Sequence, residues 1–169
     1  MAHWLARLVK HRLFDEDDAR RLLGKDALAR VEARVAESEK RHSGEIRVVV
    51  EAGLPLSYLR RHATPRDRAV KLFGKLAVWD TERNNGVLIY LLLAEHAIEI
   101  VADRGLNRVV SPAEWADIAA SMQSAFQAGD FEAGLLRAVD AVDALLVRHF
   151  AVRPGDVDVN ELPDAPIVR

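Results

Sequence analysis

The chain has 169 residues, of which half are hydrophobic and 30% are charged. This length is typical of one domain, and the composition argues against global disorder. The 24 lysines and arginines nearly balance the 26 acidic residues, for a formal net charge of -2, so the chain as a whole has no electrostatic attraction to nucleic acid. There are no cysteines, which excludes disulfides, thiolate zinc sites and cysteine nucleophiles.

The N-terminal region, residues 1–14, alternates apolar and basic residues and is predicted to form an amphipathic helix. It lacks the uninterrupted apolar segment and the cleavage site of a signal peptide. Its apolar face, which includes Trp4, Leu5 and Leu8, either packs on this domain or lies on an anionic membrane or a partner. The longest apolar run, 86–94, is less than half the ~20 residues of a membrane span. We therefore expect no transmembrane segment and a cytoplasmic protein, peripheral to the inner face of the membrane if the helix binds lipid.

A second helix is predicted from the N-cap Asp15 to about Lys40. Gly24 is a candidate break within it. Its apolar residues at helical spacing are expected to form a buried stripe: Leu22, Leu28, Val31 and Val35.

The central part of the chain predicts a strand, a crossover helix and a hairpin. The β-branched run 45–51 has the length of a strand. A helix follows from the N-cap Thr64 and carries apolar residues as far as Trp79. The runs 87–93 and 97–102 are strands joined by a turn so short that they pair antiparallel. A strand–helix–strand crossover makes the first two strands parallel.

Two further helices, from Ser111 and from Phe131, complete the predicted order of elements. Helices before, between and after the strands predict an α/β fold: a three-layer α/β/α sandwich with a small mixed sheet covered on both faces. The chain divides into the helix at 1–14, a domain at 15–150 and a Pro-rich, acidic tail at 151–169 that is either an extended strap or disordered.

Four segments and one tryptophan then carry a resemblance to a known family, in their order and spacing: SGEIRVVV at 43–50, NNGVLIY at 84–90, DRGLN at 103–107, Trp115, and FQAGDFEAGL at 126–135. Together they resemble the TPM domain, named after a thylakoid lumen protein, a photosystem II repair protein and a receptor modulator. The tail NELPD at 160–164 is similar to a short, soluble bacterial branch. The resemblance implies an α/β/α sandwich, divalent-cation binding, weak acid phosphatase activity and membrane-associated partners of the LemA type. Many members carry aspartate where this chain has Asn85.

The predicted topology brings polar residues together at one end of the sheet. If the hairpin pairs residues whose numbers sum to about 190, Asp103 lies beside the loop before the second strand. Glu45 lies at the same sheet end, because the first two strands are parallel. Carboxylate, amide and main-chain oxygens are the ligands that Ca²⁺ and Mg²⁺ prefer. The residues that converge there are the predicted metal site: Glu45, Asp80, Asn84, Asn85 and Asp103, with Glu82 beside them.

Two alternatives stay open. These residues are ordinary solvated loop and turn residues, or a ligand binds at the opposite end of the sheet, near 51–56 and 95–96, where α/β folds usually bind ligands. We therefore expect a non-catalytic interaction or accessory module of a membrane-linked bacterial process, with weak binding of a divalent cation. The alternative function is a metal-assisted acid phosphatase acting on phosphate esters, although no general base is evident.

Other chemically interesting side chains are expected to be structural. The six histidines are scattered without ligand spacing and are predicted to lie on the surface. The basic run at 60–68 is a solvated face or a phosphate contact. The aromatic residues at helical spacing are predicted to belong to the core: Trp79, Trp115, Phe126 and Phe131.

Overall fold

A computed structural model describes residues 2–153, 155 and 159–169, without the side chains of residues 2–4. The predicted role of Trp4 therefore lies outside the described residues, as do residues 154 and 156–158 of the predicted tail. The elements are α1 (Ala2–Leu13), α2 (Glu16–Glu39), β1 (Ile46–Glu51), α3 (Leu56–Arg60), α4 (Pro65–Lys75), β2 (Val87–Leu92), β3 (Ala97–Ala102), α5 (Arg104–Asn107), α6 (Pro112–Gln127), α7 (Phe131–Phe150) and β4 (Ile167–Val168). A single 3-10 turn, Leu93–Glu95, links β2 to β3.

The strands form one mixed sheet in the order β3-β2-β1-β4. β1 and β2 are parallel, with Ile46 opposite Val87, and β2 and β3 are antiparallel, with Val87 opposite Ala102. Both pairings confirm the predicted crossover and hairpin. β4 is an addition: two residues of the tail pair in parallel with the outer edge of β1. The tail near its end is therefore an extended strap that widens the sheet.

Helices cover both faces of the sheet, as predicted, and every residue of β1 and β2 is buried. On one face α2, α6 and α7 pack against β-strand residues such as Val48 and Ile89. On the other, α3 and α4 pack against alternate residues such as Val49 and Tyr90. Burying each large apolar side chain stabilises the fold by roughly 1.5–3 kcal/mol, so these two cores fix the central strands and both sheet ends.

The helix starts follow the predicted capping chemistry. Asp15, Thr64 and Ser111 are N-caps, each with a reciprocal capping box. Gly24 has φ 71°, which confirms the break within α2. The predicted buried stripe is wrong at Leu22, which is 51% exposed, and Leu23 is buried instead. The buried apolar residues of α2 recur every four positions: Ala19, Leu23, Ala27, Val31 and Val35.

The predicted core position of Trp79 is wrong. α4 ends at Lys75, and Ala77 adopts a left-handed conformation with φ 55°. This reversal ends the helical spacing, so Trp79 is 52% exposed, whereas Phe126 and Phe131 are buried. α3 and α5 occupy segments that the sequence pattern predicts as loops. Within the described ranges, none of the helices has the length and apolar character needed to cross a bilayer.

Candidate functional site

Asn85 is the most enclosed residue of the predicted metal site. Its side-chain N–H donates to the main-chain oxygen of Ser43 at 2.9 Å. The hydroxyl of Thr81 accepts from the main-chain N–H of Asn85 at 3.1 Å and donates to its side-chain oxygen at 3.3 Å. Asn85 is fully buried, so these bonds offset the cost of removing an amide from water. The amide joins the loop before β2 to the chain entering β1.

Asn84 and Asp103 lie together on the other side of this loop. Asn84 has φ 53°, and its side-chain oxygen accepts from Arg104 at 2.8 Å. Its main-chain oxygen accepts from the N–H of Gly105 at 2.9 Å, and a Cβ at Gly105 would lie 2.4 Å from that oxygen, so only glycine fits. Asp103 caps α5 through Oδ1. Its Oδ2 is buried and has no hydrogen-bond partner among the described residues.

Glu45 is buried and holds the C-terminal tail. Its carboxylate accepts from the main-chain N–H groups of Glu161 at 3.0 Å and Leu162 at 3.1 Å. Arg47 lies two residues along and donates to the carbonyls of Pro163 and of Ala165, the latter at 2.8 Å. Burial lowers the pKa of Arg47. These bonds place the tail across the amino end of β1, and the tail then joins the sheet as β4 beside Val49 and Val50.

The structure brings part of the predicted site together. Asn84 bonds to residues of α5, the helix that Asp103 caps. Asn85 and Glu45 lie just before the neighbouring strands β2 and β1. Asp80 and Glu82 are exposed, and the main-chain N–H of Glu82 donates to the carboxylate of Glu161. No three or more His, Asp or Glu side chains in the described part of the chain are grouped so that they would hold a metal ion. Binding of Ca²⁺ or Mg²⁺ at these residues stays a prediction.

Glu39 is a further acidic residue at the same end of the sheet, and the sequence pattern does not mark it. Its Oε1 accepts from the N–H of Ile46 at 2.9 Å, while Oε2 is buried without a partner in the described chain. Burial raises the pKa of Glu39 to about 9, and the charges of Glu45 and Asp164 add to the effect. The three carboxyl groups line one cavity of about 250 Å³. No local motif marks Glu39, because the cavity exists only once the tail has folded back.

The carboxyl end of β1 carries a buried charged network. Glu51 accepts two hydrogen bonds from Arg68, at 2.8 and 2.5 Å, and a third from the hydroxyl of Tyr90 at 2.7 Å. Burial alone would lower the pKa of Arg68, but the bonds and charge of Glu51 raise it overall. Burial also raises the pKa of Tyr90, as does the adjacent carboxylate. Arg68, which belongs to the predicted basic run at 60–68, therefore pairs with a buried carboxylate and does not lie on a solvated face.

α1 closes this carboxyl end, in agreement with the prediction in which the helix packs on the domain. The imidazole Nδ1 of His11 accepts from the N–H of Leu54 at 3.0 Å, and Nε2 lies 2.7 Å from the carboxylate of Glu95. Arg7 also donates to Glu95, at 2.7 Å. Because Nδ1 is an acceptor, Nε2 carries the proton and donates. A Cβ at Gly53 would lie 2.5 Å from the carbonyl of His11, so α1 contacts this loop directly.

Two of the histidines contradict the predicted surface location. His11 is buried on the inner side of α1, and His42 is fully buried beside α7. The Nδ1 of His42 accepts from the N–H of Gly44 at 3.2 Å, and its Nε2 is 3.6 Å from Asp143. Burial lowers the pKa of His42 to about 4. The spacing of Arg7 and His11, one helical turn apart, was the available signal for the α1 contact; no local signal marks His42.

Comparison with known proteins agrees with this architecture. The family model of the TPM domain matches residues 17–145, so the chain belongs to the TPM domain family. The NMR structure of the BA42 protein from the psychrophilic bacterium Bizionia argentinensis is 29% identical, with a TM-score of 0.74 over 85% of this chain and 93% of that one. The N-terminal domain of a P. gingivalis protein shares the fold at 22% identity, with a TM-score of 0.60 over 81% and 90%. No curated protein matches the chain.

Proposed function

We propose that this TPM domain is a non-catalytic interaction or accessory module of a membrane-linked bacterial process, with a LemA-type membrane protein as the partner that the family resemblance suggests. The supporting observation is that the polar residues at the amino end of β1 and β2 bind main-chain groups within the domain. The amide of Asn85 and the carboxylate of Glu45 bind main-chain groups of their own chain. Side chains used in this way hold loops and the tail in place and leave the outer surfaces for recognition.

The experiment is capture of the partner from detergent-solubilised membranes of the source cell on the immobilised full chain. The captured protein is then purified and its binding measured by isothermal calorimetry. We expect saturable binding with simple stoichiometry. Turnover of p-nitrophenyl phosphate by the purified chain, abolished in Asp103→Ala and retained in Asp117→Ala, together with no captured protein, would replace this proposal with the phosphatase alternative.

Weak binding of Ca²⁺ or Mg²⁺ is the second candidate function. Two carboxyl oxygens near the amino end, Oε2 of Glu39 and Oδ2 of Asp103, are buried without a hydrogen-bond partner in the described chain. A hard cation would be bound through such oxygens together with main-chain and water oxygens. A ¹⁵N-HSQC titration of metal-stripped protein tests it. Saturable shifts confined to this end support a cation site, and a flat titration at millimolar metal rules it out.

A further inference from the structure

The sheet has two edges, and they differ. The outer edge of β1 is covered by β4, while in the described residues no strand pairs with the outer edge of β3. The N–H of Asp103 donates to Gly86 of the β2 side, so the main-chain groups of alternate residues, Ile98, Ile100 and Ala102, point away from the sheet. Arg66 and Asn107 reach the outward carbonyls of Ile100 and Ala102, which agrees with this orientation.

A groove of about 430 Å³ runs along this edge between β3 and α6. Ile98, Ile100 and Val110 supply its apolar floor, and Trp115 and Ala116 belong to the α6 wall. Ala116 is exposed, so the wall is low at that point. The apolar lining beside an existing sheet edge is what an added strand needs.

The polar groups along the groove specify what would fill it. The outward N–H groups of Ile98, Ile100 and Ala102 are donors for the carbonyls of an extended chain. The indole N–H of Trp115 is buried and has no partner among the described residues. Arg66 is half exposed, and its ion pair with Glu99 is loose at 3.6 Å. The rim therefore offers main-chain donors and one guanidinium, and the indole donor lies buried in the α6 wall.

We propose that this groove binds an extended segment of a partner protein, which adds to β3 as a fifth strand. The segment places apolar side chains toward α6 and an acidic side chain toward Arg66, which then exchanges its bond to Ile100 for the partner's carboxylate. A carbonyl of the segment accepts from Trp115. This inference rests on the proposed interaction function and identifies the surface and the class of ligand.

A second copy of the chain is a poorer occupant of the same edge. Antiparallel pairing of β3 with its own copy around Ile100 puts a two-fold axis at that residue. Both Arg66 guanidinium groups, each bound at Ile100, would then meet on one face of the joined sheet and repel. An acidic extended segment of another protein removes this repulsion.

The test begins with selection of random peptides of about seven residues, the length that spans a strand such as β3, on the immobilised full chain. Enriched peptides are then titrated into ¹⁵N-labelled protein. We expect shifts at the amides of 98, 100 and 102 and a downfield shift of the Trp115 indole N–H, with the Trp79 indole as reference. Absence of enrichment, or shifts that map elsewhere, overturns the proposal.

Matched variants separate the groove from general effects on the fold. Ala116→Arg fills the groove and is expected to weaken peptide binding at least about tenfold, which corresponds to about 1.4 kcal/mol. Ala120→Arg places the same side chain on an exposed position of α6 outside the groove and is expected to leave binding within about twofold. Equal binding by both variants overturns the assignment, as does a β3-mediated dimer that Ala116→Arg dissociates in light scattering.

The same variants distinguish this inference from the proposed function. If the membrane partner is captured equally by wild type and Ala116→Arg, the interaction function stands and the groove assignment fails. If Ala116→Arg alone loses both the peptide and the partner, both stand. Phosphate-ester turnover without any captured partner rejects the interaction function, whereas peptide binding at the groove is judged by the NMR shifts alone.

Discussion

The two ends of the sheet are closed by different chemistry. At the carboxyl end, charged side chains pair with one another, as Glu51 does with Arg68 and as Glu95 does with Arg7. At the amino end, polar side chains mainly bind main-chain groups, as Glu45 does with the tail. A terminal segment covers each end: α1 covers the carboxyl end, and the C-terminal tail crosses the amino end.

This difference determines how much each end contributes to stability. Removing one member of a buried ion pair leaves the other charge without compensation, which costs several kcal/mol. Removing a side chain from a main-chain hydrogen bond leaves a neutral group unsatisfied, which costs less. The carboxyl end should therefore be the more sensitive one, although the sequence pattern points first to the amino end.

The largest expected effect is that of Glu51→Ala. It leaves the guanidinium of Arg68 buried without its carboxylate and removes the acceptor of the Tyr90 hydroxyl, so we expect a loss of about 3–5 kcal/mol in the free energy of unfolding. Urea unfolding followed by circular dichroism measures it. Glu16→Ala is the control, because its pair with Arg20 is half exposed on both sides, and should cost at most about 1 kcal/mol. Equal losses would remove the contrast between the two kinds of ion pair.

The next effect belongs to the amino end and is that of Asn85→Asp. A carboxylate cannot donate to the carbonyl of Ser43, and it would be buried beside that oxygen, so we expect a loss of about 2 kcal/mol. Asn107→Asp is the matched control, since Asn107 also donates to a main-chain carbonyl, that of Ala102 at 2.8 Å, but is exposed. If Asn85→Asp gains stability when Ca²⁺ is added and Asn107→Asp does not, this loop is a cation site rather than a brace.

Sequence patterns predicted the framework because local rules control it. Capping residues, β-branched runs and the short turn at 94–96 fixed the helix starts, the strands and the register of the hairpin. The features that these patterns did not predict depend on contacts of the C-terminal tail with residues distant in sequence. β4, the bonds of Glu45 to the tail and the cavity beside Glu39 require residues more than a hundred positions apart to meet.

The candidate site was predictable in position but not in role. Hairpin register and parallel pairing correctly put Glu45, Asn85 and Asp103 at one end of the sheet. Residue type alone could not show that their oxygens and amides bind main-chain groups, because the same groups serve as metal ligands or as braces. Which group a polar side chain binds depends on the loop that packs beside it. No local spacing of residues predicts where that loop lies.

A smaller effect is expected for His11→Ala, which tests the closure by α1. It removes the acceptor of the Leu54 N–H and the donor to Glu95, while Arg7 still pairs with Glu95, so the loss should be about 1–2 kcal/mol. Hydrogen exchange should quicken in α1 and at Leu54 and stay unchanged in α7. Lys10→Ala, on the exposed side of the same helix, is the control. Unchanged exchange in α1 would show that its apolar contacts alone hold it.

The last effect, about 1 kcal/mol for each pH unit between pH 5 and 9, is a pH dependence at the amino end that comes from Glu39. Its pKa is about 9 in the folded chain and ordinarily 4.5. The folded protein therefore holds this proton more tightly, and the resulting stabilisation is complete below pH 4.5 and lost as the pH rises toward 9.

Glu39→Gln keeps the acceptor for Ile46 and removes the titration. Unfolding of wild type and Glu39→Gln between pH 5 and 9 should show a difference that grows in favour of the variant. Glu37→Gln, an exposed position, controls for a change of net charge. Parallel pH profiles for wild type and Glu39→Gln would mean that water enters the cavity and that the amino end is closed less tightly than the carboxyl end.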